Sequence, residues 1–122
     1  LRETIFVGAN LTGADFFDAN LREANLREAN LQRAKLHGTD LRRADLRNSN
    51  FHYAEIYGAD LQGVDLREAD LSKADLYEAR AVNYGINNPS GINGAIYCKT
   101  LMPWGEVNND CEGYSIRQKM QR

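Results

Sequence analysis

The sequence predicts an all-β solenoid, a chain wound into a square coil, and three observations predict it. A large apolar residue recurs every five positions: Phe6, Leu11, Phe16, Leu21, Leu26, and so on through Phe51 and Ile56 to Leu76, fifteen in succession. The residue two places before each is small, alanine at most positions and Thr4, Thr39, Ser49 or Val64 at the rest. The residue immediately before is Asn or Asp in twelve of the fifteen units.

A period of five suits neither common element. On an α-helix a step of five advances about 140°, which smears the leucines around the surface. On a flat strand an odd step sends successive leucines to opposite faces. The pattern is consistent only if the chain turns a corner every five residues. Four corners then restore the starting direction, each large residue points to the axis, and the small residue fits beside it. Successive coils stack through parallel β-type hydrogen bonds about 4.8 Å apart. Asn and Asp hydrogen-bond nearby backbone readily, so their column is expected to secure the corners.

Ala-(Asp/Asn)-Leu-x-x in tandem resembles the pentapeptide-repeat family, over about 78 of the 122 residues. The resemblance implies a right-handed quadrilateral β-helix of about four to five coils, closed by a small C-terminal cap. It also implies a chain without catalytic residues.

A step of 20 residues superimposes coils, so four faces follow. Their centres are Phe6, Leu26, Leu46 and Leu66 on the first, and Leu11, Leu31, Phe51 and Leu71 on the second. The third carries Phe16, Leu36, Ile56 and Leu76, and the fourth Leu21, Leu41 and Leu61, ending at Ala81. Residues just after the centres should form outward ladders. Behind the first face stand Val7, Arg27, Arg47 and Arg67, and behind the fourth Arg22, Arg42 and the adjacent Arg43. These arginines are either a solvated ladder interleaved with Glu28, Glu68, Asp45 and Asp65, or a patch that docks an acidic partner. Behind the third face stand Phe17, His37, Tyr57 and Tyr77. Such an aromatic column either braces neighbouring coils or forms a protein-contact strip.

Three regions are expected: a repeat coil over 1–81, a loose last coil over 82–97 and a cap over 98–122. The middle segment is dense in turn formers, among them Gly85, Asn87-Asn88-Pro89 and Ser90-Gly91. Ala95-Ile96-Tyr97 looks like one more unit, shifted in register. In the cap, Leu101, Met102, Trp104 and Tyr114 should cover the last coil, and Ser115 to Gln121 suits a short helix. The segment from Cys98 to Cys111, with Met102-Pro103-Trp104-Gly105, is similar to the ending of cyanobacterial and plastid members of the family. Cys98 and Cys111 are a disulfide in an oxidising compartment or two thiols in a reducing one. Bridged, they would stabilise the cap by roughly 3 kcal/mol on the chain-entropy model, and the bridge is the expectation here.

Composition narrows the function. Fifteen basic and 17 acidic residues give a net charge of −2, so neither nucleic-acid binding nor strong DNA mimicry is expected. No run reaches the roughly 18 apolar residues of a membrane span. His37 and His52 lie far from the cysteines, so no metal site is expected, and no cofactor motif appears. Leu1-Arg2-Glu3 carries neither an initiator Met nor a signal pattern, as in a trimmed product. The expectation is a non-enzymatic module for an unknown protein partner, with a homodimer through the bare N-terminal coil. The alternatives are a gyrase binder of the quinolone-resistance type and a structural or regulatory protein of a photosynthetic organism. Thylakoid lumen or periplasm is favoured as the compartment, with cytoplasm as the alternative.

Overall fold

The structure is a computed structural model that describes residues 2–80, 100–101 and 107–108. Through residue 80 the chain repeats one five-residue unit made of a bridge residue, an inward centre, a two-residue turn and a small inward residue. The bridges are parallel and join residues 20 apart, from Ile5 with Asn25 and Asn10 with Asn30 to Asp60 with Arg80. A coil of four units is thus a direct consequence of the pairing register.

Hydrogen bonds of two kinds hold each coil. Across coils, the Phe6 amide donates to the Asn25 carbonyl at 2.7 Å and the Asn25 amide donates to the Thr4 carbonyl at 2.9 Å, a parallel ladder repeated along every face. Within a corner, the amide of the small residue donates back to the preceding centre, as from Ala9 to the Phe6 carbonyl at 2.9 Å. The second turn residue has positive φ at all sixteen corners from residue 3 to 78, between 54° and 73°. Only five of these sixteen are glycine. The chain therefore accepts a left-handed conformation at ordinary residues, and the strain is held by the ladder on both sides.

The core is a column of leucines. From Phe16 to Leu76 every centre is buried, and Leu21, Leu26, Leu31, Leu36 and Leu41 are fully enclosed. Leu41 through Leu76 leave no room for a water molecule between them. At the N-terminal end Phe6 and Phe16 meet edge to face, 6.2 Å between centroids. Two polar residues in the small column are buried and satisfied. The Thr39 hydroxyl donates to the Phe16 carbonyl at 2.7 Å, and that of Ser49 to the Leu46 carbonyl at 2.5 Å.

Beyond residue 80, the described residues include β1 (Thr100–Leu101) and β2 (Val107–Asn108), an antiparallel pair. Leu101 forms a parallel bridge with Asp75, so it continues the third-face ladder 26 residues on rather than 20. The Leu76 amide donates to the Leu101 carbonyl at 2.7 Å, and the Leu101 amide to that of Ala74 at 2.9 Å. Ala81, the shifted unit at 95–97, Met102, Trp104, Tyr114, the 115–121 helix and the Cys98–Cys111 bridge lie outside the described residues. No helix among the described residues is long and apolar enough to cross a membrane.

Candidate interaction faces

The corners present the side chains on which any recognition depends, and the Asx column fixes them. In all twelve units with Asn or Asp before the centre, the side-chain Oδ1 accepts the amide of the residue two places on. Examples are Asn20 with the Arg22 amide at 3.1 Å and Asp75 with that of Tyr77 at 3.0 Å. At these twelve corners the backbone of the residue after the centre is therefore tied to its Asx neighbour, whereas Val7, His37 and Tyr57, which follow the Ile5, Lys35 and Glu55 units, lack this contact.

Aspartate has a second oxygen, and this divides the arginines. Arg47 donates through Nε to Asp45 Oδ1 at 2.9 Å and through Nη2 to Oδ2 at 2.7 Å, a bidentate pair. Arg42 grips Asp40 and Arg67 grips Asp65 in the same way. Arg42 also lies 3.7 Å from Asp60, and Arg47 3.7 Å from Asp65, one coil on. The hydrogen bond from each guanidinium holds Asp40, Asp45 and Asp65 below the usual carboxylate range. Asn20 and Asn25 present an NH₂ group where aspartate has its second oxygen. Arg22 and Arg27 accordingly make no ion pair among the described residues, and the Arg22 Nε is buried without a hydrogen-bond partner. Of the five arginines that directly follow a centre, three are thus paired in place and Arg22 and Arg27 are not, while the adjacent Arg43 lies 3.9 Å from Glu23.

On the third face the rings of Phe17, His37 and Tyr57 pack in succession. His37 lies edge-on to Phe17 at 6.0 Å and stacks on Tyr57 at 3.9 Å with an interplanar angle of 23°. Its Nε2 is 3.2 Å from the Glu55 carboxylate. Phe17 is 62% exposed, Tyr57 42% and Tyr77 46%, whereas His37 is half-buried between its neighbours. Lys35 and Glu55 interrupt the Asx column on this face, which frees Glu55 to reach back to His37.

One cluster was not singled out from the sequence. On the second face the Tyr53 ring lies between Arg33, 4.7 Å from its centroid, and Lys73, 5.0 Å away. The Lys73 ammonium also donates to the Tyr53 hydroxyl at 3.0 Å. The 20-residue spacing of Arg33, Tyr53 and Lys73 was the signal for it. No group of three or more His, Cys, Asp or Glu residues placed to hold a metal ion occurs among the described residues.

Comparison with known proteins agrees with this architecture. The family model for pentapeptide repeats matches in eight copies, over residues 1–33, 29–67 and 50–83. No curated protein sequence matches the chain. Among solved structures, a pentapeptide repeat protein from the cyanobacterium Cyanothece 51142 aligns at 27% identity with a TM-score of 0.67, covering 79% of this chain and 59% of that one. The chain thus spans less than two thirds of that protein's length. A pentapeptide repeat protein from the Arabidopsis thaliana thylakoid lumen aligns at 24% identity with a TM-score of 0.65, covering 96% of this chain and 74% of the other. The fluoroquinolone resistance protein QnrB1, in a trypsin-treated variant, aligns at 17% identity with a TM-score of 0.46, over 78% of this chain and 66% of that one. Proteins built from this repeat fold as right-handed quadrilateral β-helices and are in general structural or interaction modules, without catalysis. With five-residue units, a filled leucine axis and that family match over more than half its length, the chain belongs to the pentapeptide repeat family.

Proposed function

We propose that this chain is a non-catalytic protein-interaction module whose contact strip is the third-face column of Phe17, His37, Tyr57 and Tyr77. The supporting observation is the exposure of three aromatic rings at coil spacing on one face, with His37 packed between Phe17 and Tyr57. Burial of such rings against a partner is favourable, and little side-chain entropy is lost because the coil already orders them. The arginine columns fit a docking role less well, since Arg42, Arg47 and Arg67 are already matched to Asp40, Asp45 and Asp65. The near-balanced net charge of −2 weighs against DNA mimicry.

The test is photo-crosslinking in extract of the native host, with the crosslinker at position 57 and, as a control, at position 28 on another face. A discrete crosslinked protein at position 57, absent at 28 and lost in a Phe17→Ser, Tyr77→Ser variant with an unchanged β-rich CD spectrum, is expected. The same products from both positions would overturn the proposal.

A further inference from the structure

A cleft of about 250 Å³ opens on the fourth face, lined by Arg22, Arg42, Arg43, Gln62 and Gly63. Its donors are unevenly satisfied. Arg42 is held by Asp40, and the Gln62 amide donates to Asp60 at 3.3 Å. Among the described residues Arg43 pairs only with Glu23, at 3.9 Å, and its side chain is 73% exposed. The Arg22 Nε has no partner among the described residues although it is buried. Gly63 keeps the mouth open, because a Cβ there would lie 3.3 Å from Arg43 Cγ.

A buried, unmet guanidinium donor is costly unless something accepts from it. Arg22 and the loosely paired Arg43, beside the Asp40-bound Arg42, suit a compact anionic group with several acceptor oxygens. Arginine's fixed fork matches tetrahedral phosphate oxygens, and stacking of coils brings Arg22 and Arg42 to neighbouring levels about 4.8 Å apart. We propose that this cleft is an oxyanion site of the phosphate class, with Arg22 and Arg43 as its principal donors and Arg42 held in place beside them by Asp40. The site is separate from the aromatic strip and does not depend on its role.

The coil itself supplies the discriminating variant. Asn20→Asp would provide Arg22 with the same second oxygen that Asp40 provides to Arg42, satisfying the donor internally. Inorganic phosphate is titrated against the protein at low ionic strength, followed by NMR shifts of the Arg22 and Arg43 side-chain NH groups, with sodium acetate as the parallel probe. Saturable binding of phosphate is expected, weakened about tenfold or more in Asn20→Asp and in Arg22→Gln, with acetate much weaker. Arg67→Gln, on another face, should leave it unchanged. CD and the melting temperature establish that each variant is folded. No saturable phosphate binding, equal affinity for acetate, or phosphate affinity unaltered by Asn20→Asp would each overturn the proposal.

Discussion

Arg47 and Asp45 stand two residues apart and close a bidentate ion pair around the leucine between them, with Nε and Nη2 at 2.9 and 2.7 Å from the two carboxylate oxygens. Leu46 enters the core while its neighbours meet outside it. The same Asp-Leu-Arg unit recurs at 40–42 and 65–67, so a structural pair is written into the repeat itself.

These pairs predict the acid limb of stability. Asp40, Asp45 and Asp65 have folded-state pKa values lowered below the usual value near 3.8. Their contribution is therefore complete above the unfolded-state value and is lost as pH falls through the lower folded-state values. Denaturant melts should show stability declining as pH falls below about 4. The triple Asp→Asn variant should have a flatter profile there. Because the arginines are solvent-exposed, each pair should contribute only weakly at neutral pH.

Left-handed corners predict opposite signs for two glycine exchanges. Glu28 sits at φ 60° with its side chain exposed, so Glu28→Gly removes left-handed strain of about 1–2 kcal/mol and adds about 0.5–1 kcal/mol of unfolded-chain entropy. It should be neutral or slightly stabilising. Gly38 has φ 62°, and the Asp18 carboxylate occupies the place its Cβ would take. Gly38→Ala should lower stability by about 1–2 kcal/mol, and Asp18→Ala should recover part of that loss. Equal effects in urea melts would contradict this.

The core column predicts a graded series. Leu36→Ala, at a fully enclosed centre, should cost about 2–5 kcal/mol because the rigid coils cannot collapse into the void. Thr39→Ala should cost nearer 1 kcal/mol, since the Phe16 carbonyl still accepts from the Ala19 amide. Chemical denaturation of both variants measures the difference.

On the second face, Tyr53→Leu should lower stability by about 0.5–1 kcal/mol, the range for an exposed cation over an aromatic ring. A double-mutant cycle with Arg33→Gln isolates the ring contact, and a coupling energy near zero would count against it.

The Cys98–Cys111 bridge is an expectation of the sequence alone, and thiol chemistry decides it. Thiol titration of freshly purified protein in denaturant without reductant should find no free thiol, and reduction should then release two. Two thiols before reduction would exclude the bridge.

The five-residue period by itself determined the corner, the inward leucine and the small residue beside it, because no regular helix or strand buries every fifth side chain. The Asx column was legible for the same reason: an Asn or Asp before the centre reaches the amide two residues on without help from the rest of the chain. Even the split among the arginines is local, since it follows from Asn20 and Asn25 standing where Asp40, Asp45 and Asp65 stand elsewhere. Contacts across coils were decided by the tertiary structure. Whether Glu55 turns toward His37, or Tyr53 lies between Arg33 and Lys73, depends on side-chain directions that only stacking sets. The ladder above Asp75 shows the limit most clearly. After residue 80 the period no longer specifies the length of a coil, and Leu101, rather than a residue 20 further on, pairs there because backbone hydrogen bonds select whichever segment arrives in register.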